Sequence, residues 1–203
     1  FSERTGTVRR LAQRIDDLAA ITDELGVRGP VVTVAHDWGG PISLGWAQRH
    51  REQMAGVVLM NTAVHQPPDS LAPRLIRMVR IRWMLRLACV TTPTFLRGAL
   101  LLARPRLPRS IRRAYEAPYR GPHRREAIGG FVEDIPLSDT HPSKRSLDEV
   151  AAGLSDLVDI PSLLLWGAAD PVFSGRYLAD LAARLPSAEI HRFGDAGHLL
   201  PED

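Results

Sequence analysis

The sequence predicts an α/β protein: a doubly wound, mostly parallel sheet interrupted by an all-helical insertion. Three observations predict it. Up to Ala63 the hydrophobic spacing alternates helix, strand, sharp turn, helix and strand. From Val64 that alternation stops, and helical blocks separated by Pro- and Gly-containing joints take over. The strand texture returns at Pro161, after a helix near Leu147. The expected organisation is a core from 1–63 and 147–203 with a helical cap at 64–146.

Each element follows from its residues. Val8, Leu11, Ala12, Ile15, Leu18, Ala19 and Leu25 recur at helical spacing, and Gly26 is a C-terminal stop. Gly29-Pro30 punctuates, and Val31–Ala35 reads as a buried parallel strand. A helix is expected from Pro41 to about Arg51, since Pro is tolerated in a first turn, and a strand at Gly56–Met60. Beyond Pro67-Pro68 come helical blocks at about Leu71–Val90, Pro93–Ala103, Pro108–Glu116 and His123–Val132. Then follow a helix at about Leu147–Leu157, a buried strand Pro161–Trp166, a helix at about Gly175–Leu185 and a strand near Glu189–Phe193.

Composition sets the class. The chain has 203 residues, 44% hydrophobic and 24% charged, enough for one sizeable soluble domain. Apolar runs such as Ala99–Ala103 are too short to span a bilayer. The polar start Phe1-Ser2-Glu3-Arg4 carries no secretory signal, and a trimmed domain or fragment is expected. Cys89 is the only cysteine, so no internal disulfide forms and a cytoplasmic location is the default. Net charge is +3, but between Val64 and Arg125 there are fourteen Arg, no Lys and two acids. Such a block suits nucleic acid, acidic lipid, an acidic partner or plain solvated helix faces. Without interleaved aromatics the solvated faces are preferred and no nucleic-acid partner is expected.

The chemistry is carried by three loops, each after a predicted strand, where open parallel sheets place their ligand sites. In Ala35-His36-Asp37-Trp38-Gly39 a small residue sits two before Asp37 and a glycine two after it. That is the spacing of a nucleophile elbow with Asp in place of the usual Ser. A carboxylate attacks without a base to deprotonate it and forms an ester. Asp170 and His198 end the other two loops, and nucleophile, acid, histidine is a triad order. His198 would act as general base on water, Asp170 would orient its imidazole, and the Trp38 N–H would serve the oxyanion or leaving group. Asp37 as a plain N-cap leaves the strand before it and the glycines after it unexplained. His198 as a loop histidine and Asp170 as a turn former remain as bland alternatives for each alone. Asn61 also follows a strand, but an amide carries no charge to stabilise imidazolium, so Asp170 is preferred as the acid. His36 either shapes the elbow or packs. His50, His65, His123 and His191 show no ligand spacing, and neither metal nor cofactor is expected.

His36-Asp37-Trp38-Gly39-Gly40, Trp166 to Phe173 and Ala196-Gly197-His198 resemble the haloalkane dehalogenase and epoxide hydrolase branch of the α/β-hydrolase superfamily. Arg112 to Tyr119, Phe131 to Leu137 and Asn61-Thr62-Ala63 resemble the β-lactone decarboxylases of bacterial long-chain olefin formation. The resemblance implies an α/β-hydrolase fold, an Asp nucleophile and a hydrophobic β-lactone released as olefin and carbon dioxide. It also implies fusion to, or complex formation with, an adenylating β-lactone synthetase. The branch carries an upstream oxyanion loop before the position of Val8, on first strands that are missing here, so this segment alone is expected to be unstable or inactive. Alternatives are a haloalkane dehalogenase in which the Trp38 indole holds halide, an epoxide hydrolase using Tyr115 and Tyr119 as acids, and a non-catalytic receptor. Leu75, Ile76, Val79, Trp83, Leu87, Leu100 and Leu101 would line an alkyl-chain channel or pack the cap.

Overall fold

A computed structural model of the chain describes residues 6–66 and 81–202. Helix α1 (Leu11–Glu24) buries Leu11 and Ile15 and ends in Gly26 at φ 64°, the left-handed stop expected of that glycine. Strand β1 (Val31–His36) leads into α2 (Gly39–Arg49), and β2 (Met54–Met60) follows a short 3₁₀ turn. Further on come α7 (Lys144–Ala152, numbered after the four helices described below), β3 (Ser162–Gly167), α8 (Gly175–Arg184) and β4 (Glu189–Phe193). The strands form one four-stranded sheet in the order β1-β2-β3-β4, parallel throughout. Its register sets Ala35 beside Leu59 and Met60 beside Leu165.

The core lies on one face of this sheet. Ala35, Val57, Leu59, Leu164 and Trp166 point into a cluster with Ile15, Leu44, Trp46, Val150 and Leu181 of α1, α2, α7 and α8. The expectation that Val31–Ala35 is buried on both sides is corrected here. Val32 is 55% and Val34 65% exposed, because the helices that bury Ala35 cover only one side of β1. A run of β-branched residues reports strand propensity, not the number of layers packed on the strand.

Between β2 and β3 the described residues are helical. They comprise α3 (Arg82–Leu85) running into a π-helical turn (Arg86–Thr91), then α4 (Thr94–Leu100), α5 (Arg109–Glu116), a 3₁₀ turn and α6 (Pro122–Glu133). Residues 71–80 of the first expected block lie outside the described residues, and so do Leu75, Ile76 and Val79. Two satellite cores hold this segment. Leu85, Cys89, Val90 and Val132 form one; Leu100, Ala103 and Leu107, joined by Leu96, Ile111, Tyr115 and Leu199, form the other. Burial pushes the Cys89 thiol up to about 11, so it behaves as a small apolar side chain. The buried Arg125 donates to the carbonyls of Val90, Thr91 and Tyr119 at 2.9, 2.8 and 3.2 Å and so closes the end of the π turn. Arg10 binds Asp134 and Glu133 at 3.1 Å each and ties the end of α6 to α1. Of the apolar residues expected to line a channel or pack, Leu100 packs, whereas Trp83, Leu87 and Leu101 face solvent. No helix of the described residues is long and apolar enough to cross a membrane.

Candidate active site

Asp37 occupies the turn between β1 and α2 with φ 51°, a region that non-glycine residues seldom adopt. The turn is held from the next strand. The Asp37 N–H donates to the Asn61 carbonyl at 3.2 Å, and the Thr62 hydroxyl donates to the Asp37 carbonyl at 2.6 Å. A Cβ on Gly40 would lie 1.9 Å from Thr62 Oγ1, so glycine is required there, whereas one on Gly39 would meet only the Ala35 methyl at 3.7 Å. Close approach at Gly40 and the small Ala35 together allow the sharp turn. The N-cap of α2 is Trp38 and carries no side-chain cap bond, so Asp37 is not there as a cap.

Asp170 and His198 are buried and bonded to each other, with His198 Nδ1 3.0 Å from Asp170 Oδ2. A carboxylate accepts, so Nδ1 carries the hydrogen and Nε2 is the basic nitrogen. Asn61, fully buried at φ 33°, donates Nδ2–H to the same Oδ2 at 2.6 Å, and its Oδ1 accepts from the Gly167 N–H at 2.8 Å. The Val172 N–H donates to Asp170 Oδ1 at 2.7 Å. Burial alone would raise the Asp170 carboxyl, but the His198 bond and charge, the Asn61 amide and the Val172 N–H outweigh it and hold it below its ordinary value. Burial pushes the Asp37 carboxyl up; the charges of His198 and His36 oppose this, Asp170 adds to it, and the Trp38 N–H bond lowers it.

Aromatic rings wall the three loops. Phe173 stacks on the His198 ring at 5.8 Å, and Trp38 faces Phe131 of α6 at 6.0 Å. The Arg14 guanidinium lies 3.5 Å above the other part of that wall, the Phe131 ring, and its burial lowers the Arg14 pKa. Thus Asp37, Asp170, His198 and the Trp38 N–H meet where the sequence places them, at the carboxyl ends of β1, β3 and β4. Sequence reasoning set Asn61 aside as a competitor of Asp170; it is its donor instead. Phe131 and Phe173 stood within the resembling motifs but had no role, since ring stacking across elements leaves no local pattern. Among the described residues, no group of three His, Cys, Asp or Glu side chains could hold a metal ion.

An acid on a strained strand-to-helix turn, followed in chain order by a second acid and a histidine on neighbouring strand ends, is the layout of the α/β hydrolases. The chain belongs to the alpha/beta hydrolase fold family, whose sequence model matches residues 10–203. It is 37% identical over 199 residues to a cis-3-alkyl-4-alkyloxetan-2-one decarboxylase of Xanthomonas campestris, covering 95% of this chain and 65% of that protein. It is 34% identical over 196 residues to the enzyme of the same name from Shewanella oneidensis, covering 95% and 62%. The chain thus spans under two thirds of the length of these curated relatives. Haloalkane dehalogenase 2 of Mycobacterium tuberculosis is 28% identical over 198 residues, 94% of this chain and 66% of that one. Among solved structures, the haloalkane dehalogenase DbeA of Bradyrhizobium elkani superposes with a TM-score of 0.89 at 22% identity, over 100% of this chain and 72% of its own.

Proposed function

We propose that this chain carries the catalytic centre of a β-lactone decarboxylase, with Asp37 as nucleophile, His198 as base and Asp170 as its orienting acid. The observation that carries the reading is the buried Asn61–Asp170–His198 chain of hydrogen bonds beside an aspartate held at φ 51°. The names of the two decarboxylases support a four-membered lactone with two alkyl substituents. Asp37 attacks the alkyl-bearing ring carbon that is bonded to the ring oxygen, not the carbonyl carbon, and breaks that C–O bond; an ester on Asp37 and a free carboxylate result. Loss of carbon dioxide then sends the C–C bond pair into the new double bond and returns the ester electrons to Asp37, leaving an olefin; no proton moves in these two steps, so His198 acts as base on the water that hydrolyses an ester which has not lost carbon dioxide. The Trp38 N–H is placed to steady the charge on Asp37 in both steps. Helices α3 to α6 are the described part of a cap over this site, and an adenylating β-lactone synthetase, fused or bound, is the implied supplier of the lactone.

Haloalkane dehalogenation is the second reading, favoured by Trp38, which follows Asp37 in the chain and faces Phe131 with its ring. Epoxide opening is disfavoured. Burial and the bond to Glu202 push the Tyr115 hydroxyl up to about 12, and its proton already goes to Glu202 at 2.8 Å. The test is to incubate the full-length protein and its Asp37→Ala variant with a long-chain β-lactone, a bromoalkane and an epoxide. Olefin from the lactone, lost in the variant, is expected; bromide release without olefin would sink the lactone reading.

A further inference from the structure

His36 precedes the nucleophile yet takes no part in the chemistry proposed above. Its Nε2 lies 2.6 Å from the carbonyl oxygen of His198. A carbonyl only accepts, so this nitrogen carries the hydrogen and the tautomer of His36 is fixed. On the other side of the same residue, the His198 N–H donates to the Leu102 carbonyl at 3.0 Å. We infer that His36 is a positioning residue for the base: it and the Leu102 carbonyl clamp His198 by its own main chain, so that the imidazole swings from a fixed Cα. The inference rests on the reading of His198 as base.

The surroundings show why such a clamp is needed. The loop 197–202 is seated on the helical segment between β2 and β3. Leu199 joins the Leu100, Ala103 and Leu107 cluster, and a Cβ on Gly197 would stand 2.2 Å from the Leu102 oxygen. Left to those contacts, the base would follow every shift of the helical segment. His36, at the end of β1, refers it back to the strand that carries Asp37. The two imidazoles lie 5.1 Å apart, so the clamp also walls the base ring. Burial, and next the nearness of His198, lower the His36 pKa and keep a second positive charge away from the base.

The hydrogen on His198 Nδ1, bonded to Asp170, reports the clamp directly as a downfield proton resonance in the full-length protein, with no substrate present. Its assignment is made by its loss in His198→Gln. In His36→Phe, with circular dichroism and Tm close to wild type, that proton should exchange with water about tenfold faster or broaden away, as expected for one lost hydrogen bond. His36→Gln, whose amide N–H reaches the same carbonyl, should recover it. Gly197→Ala, which presses on the Leu102 side, should loosen it independently, so the inference stays testable if His36→Phe does not fold. An unchanged resonance and unchanged exchange in both His36→Phe and Gly197→Ala overturn the clamp alone. A wild-type protein without any His198-dependent downfield proton overturns the base assignment and the clamp with it.

Discussion

Asp37 meets two demands that oppose stability: a positive φ and a carboxylate away from water. Because its folded pKa is raised, the folded state binds the proton more tightly than the unfolded chain, whose pKa is about 3.9. Stability therefore falls as pH rises from that value through the folded pKa, and the penalty is complete above it. Asp37→Asn should raise Tm by a few degrees at pH 7, and the gain should vanish when the melt is repeated below the unfolded pKa. The same variant should form no ester adduct by intact-mass measurement. At Asn61 the direction reverses. Asn61→Asp keeps the acceptor for the Gly167 N–H but loses the donor to Asp170 and sets two carboxyls 2.6 Å apart. They cannot both ionise, so one pKa rises and the acidic limb of the kcat/KM profile should move upward. Stability at pH 7 should fall by about 2 kcal/mol and recover as acid supplies the shared proton, which urea melts at several pH values would show. The sequence exposed the three titratable residues because charge and strand-end spacing are local. It hid their supports, because a side-chain amide or a ring stacked from another element has no spacing to read.

At the scale of elements, most of the order was legible, but the ends were not. Helix α2 begins at Gly39 rather than Pro41, since the two glycines that let the turn close on Thr62 do not look like helix formers. Helix α7 starts at Lys144 and passes into 3₁₀ geometry at Gly153. The π turn at Arg86–Thr91 could not be read at all; its sequence is that of an ordinary amphipathic helix. What sustains it is Arg125, reaching across from α6 to two of its carbonyls. This places one residue of the Arg-rich block in a structural role, and the Arg97–Glu116 pair places another. Arg125→Met should cost about 2–3 kcal/mol in urea denaturation with an unchanged slope, because carbonyls lose charge-assisted partners in a partly buried site. Arg125→Lys should recover little, since one ammonium cannot span three carbonyls in a planar fork.

For the molecule as a whole, the decisive feature is the uncovered side of the sheet. Val32 and Val34 are 55 and 65% exposed on a strand whose other face is the core, and β1 has no strand on its outer edge among the described residues. Each valine, about half exposed, forgoes part of the roughly 1.5–3 kcal/mol that full burial gives, and a bare parallel edge next to apolar residues invites pairing with another chain. The 203-residue chain by itself should therefore bind a hydrophobic dye and self-associate. Changing Val32 and Val34 together to Thr distinguishes surface exposure from a poor core. Thr keeps the β-branched shape that suits a strand but removes the apolar face. In the 203-residue chain the double variant should lower dye binding and the mass seen by light scattering while leaving the melting midpoint within a few degrees. In the full-length protein the same two changes should instead lower Tm and activity if that face is covered there. Equal behaviour of the variant and wild type in light scattering would show that association runs through some other surface. The exposed helical residues Trp83, Leu87 and Leu101 would then be the next to replace.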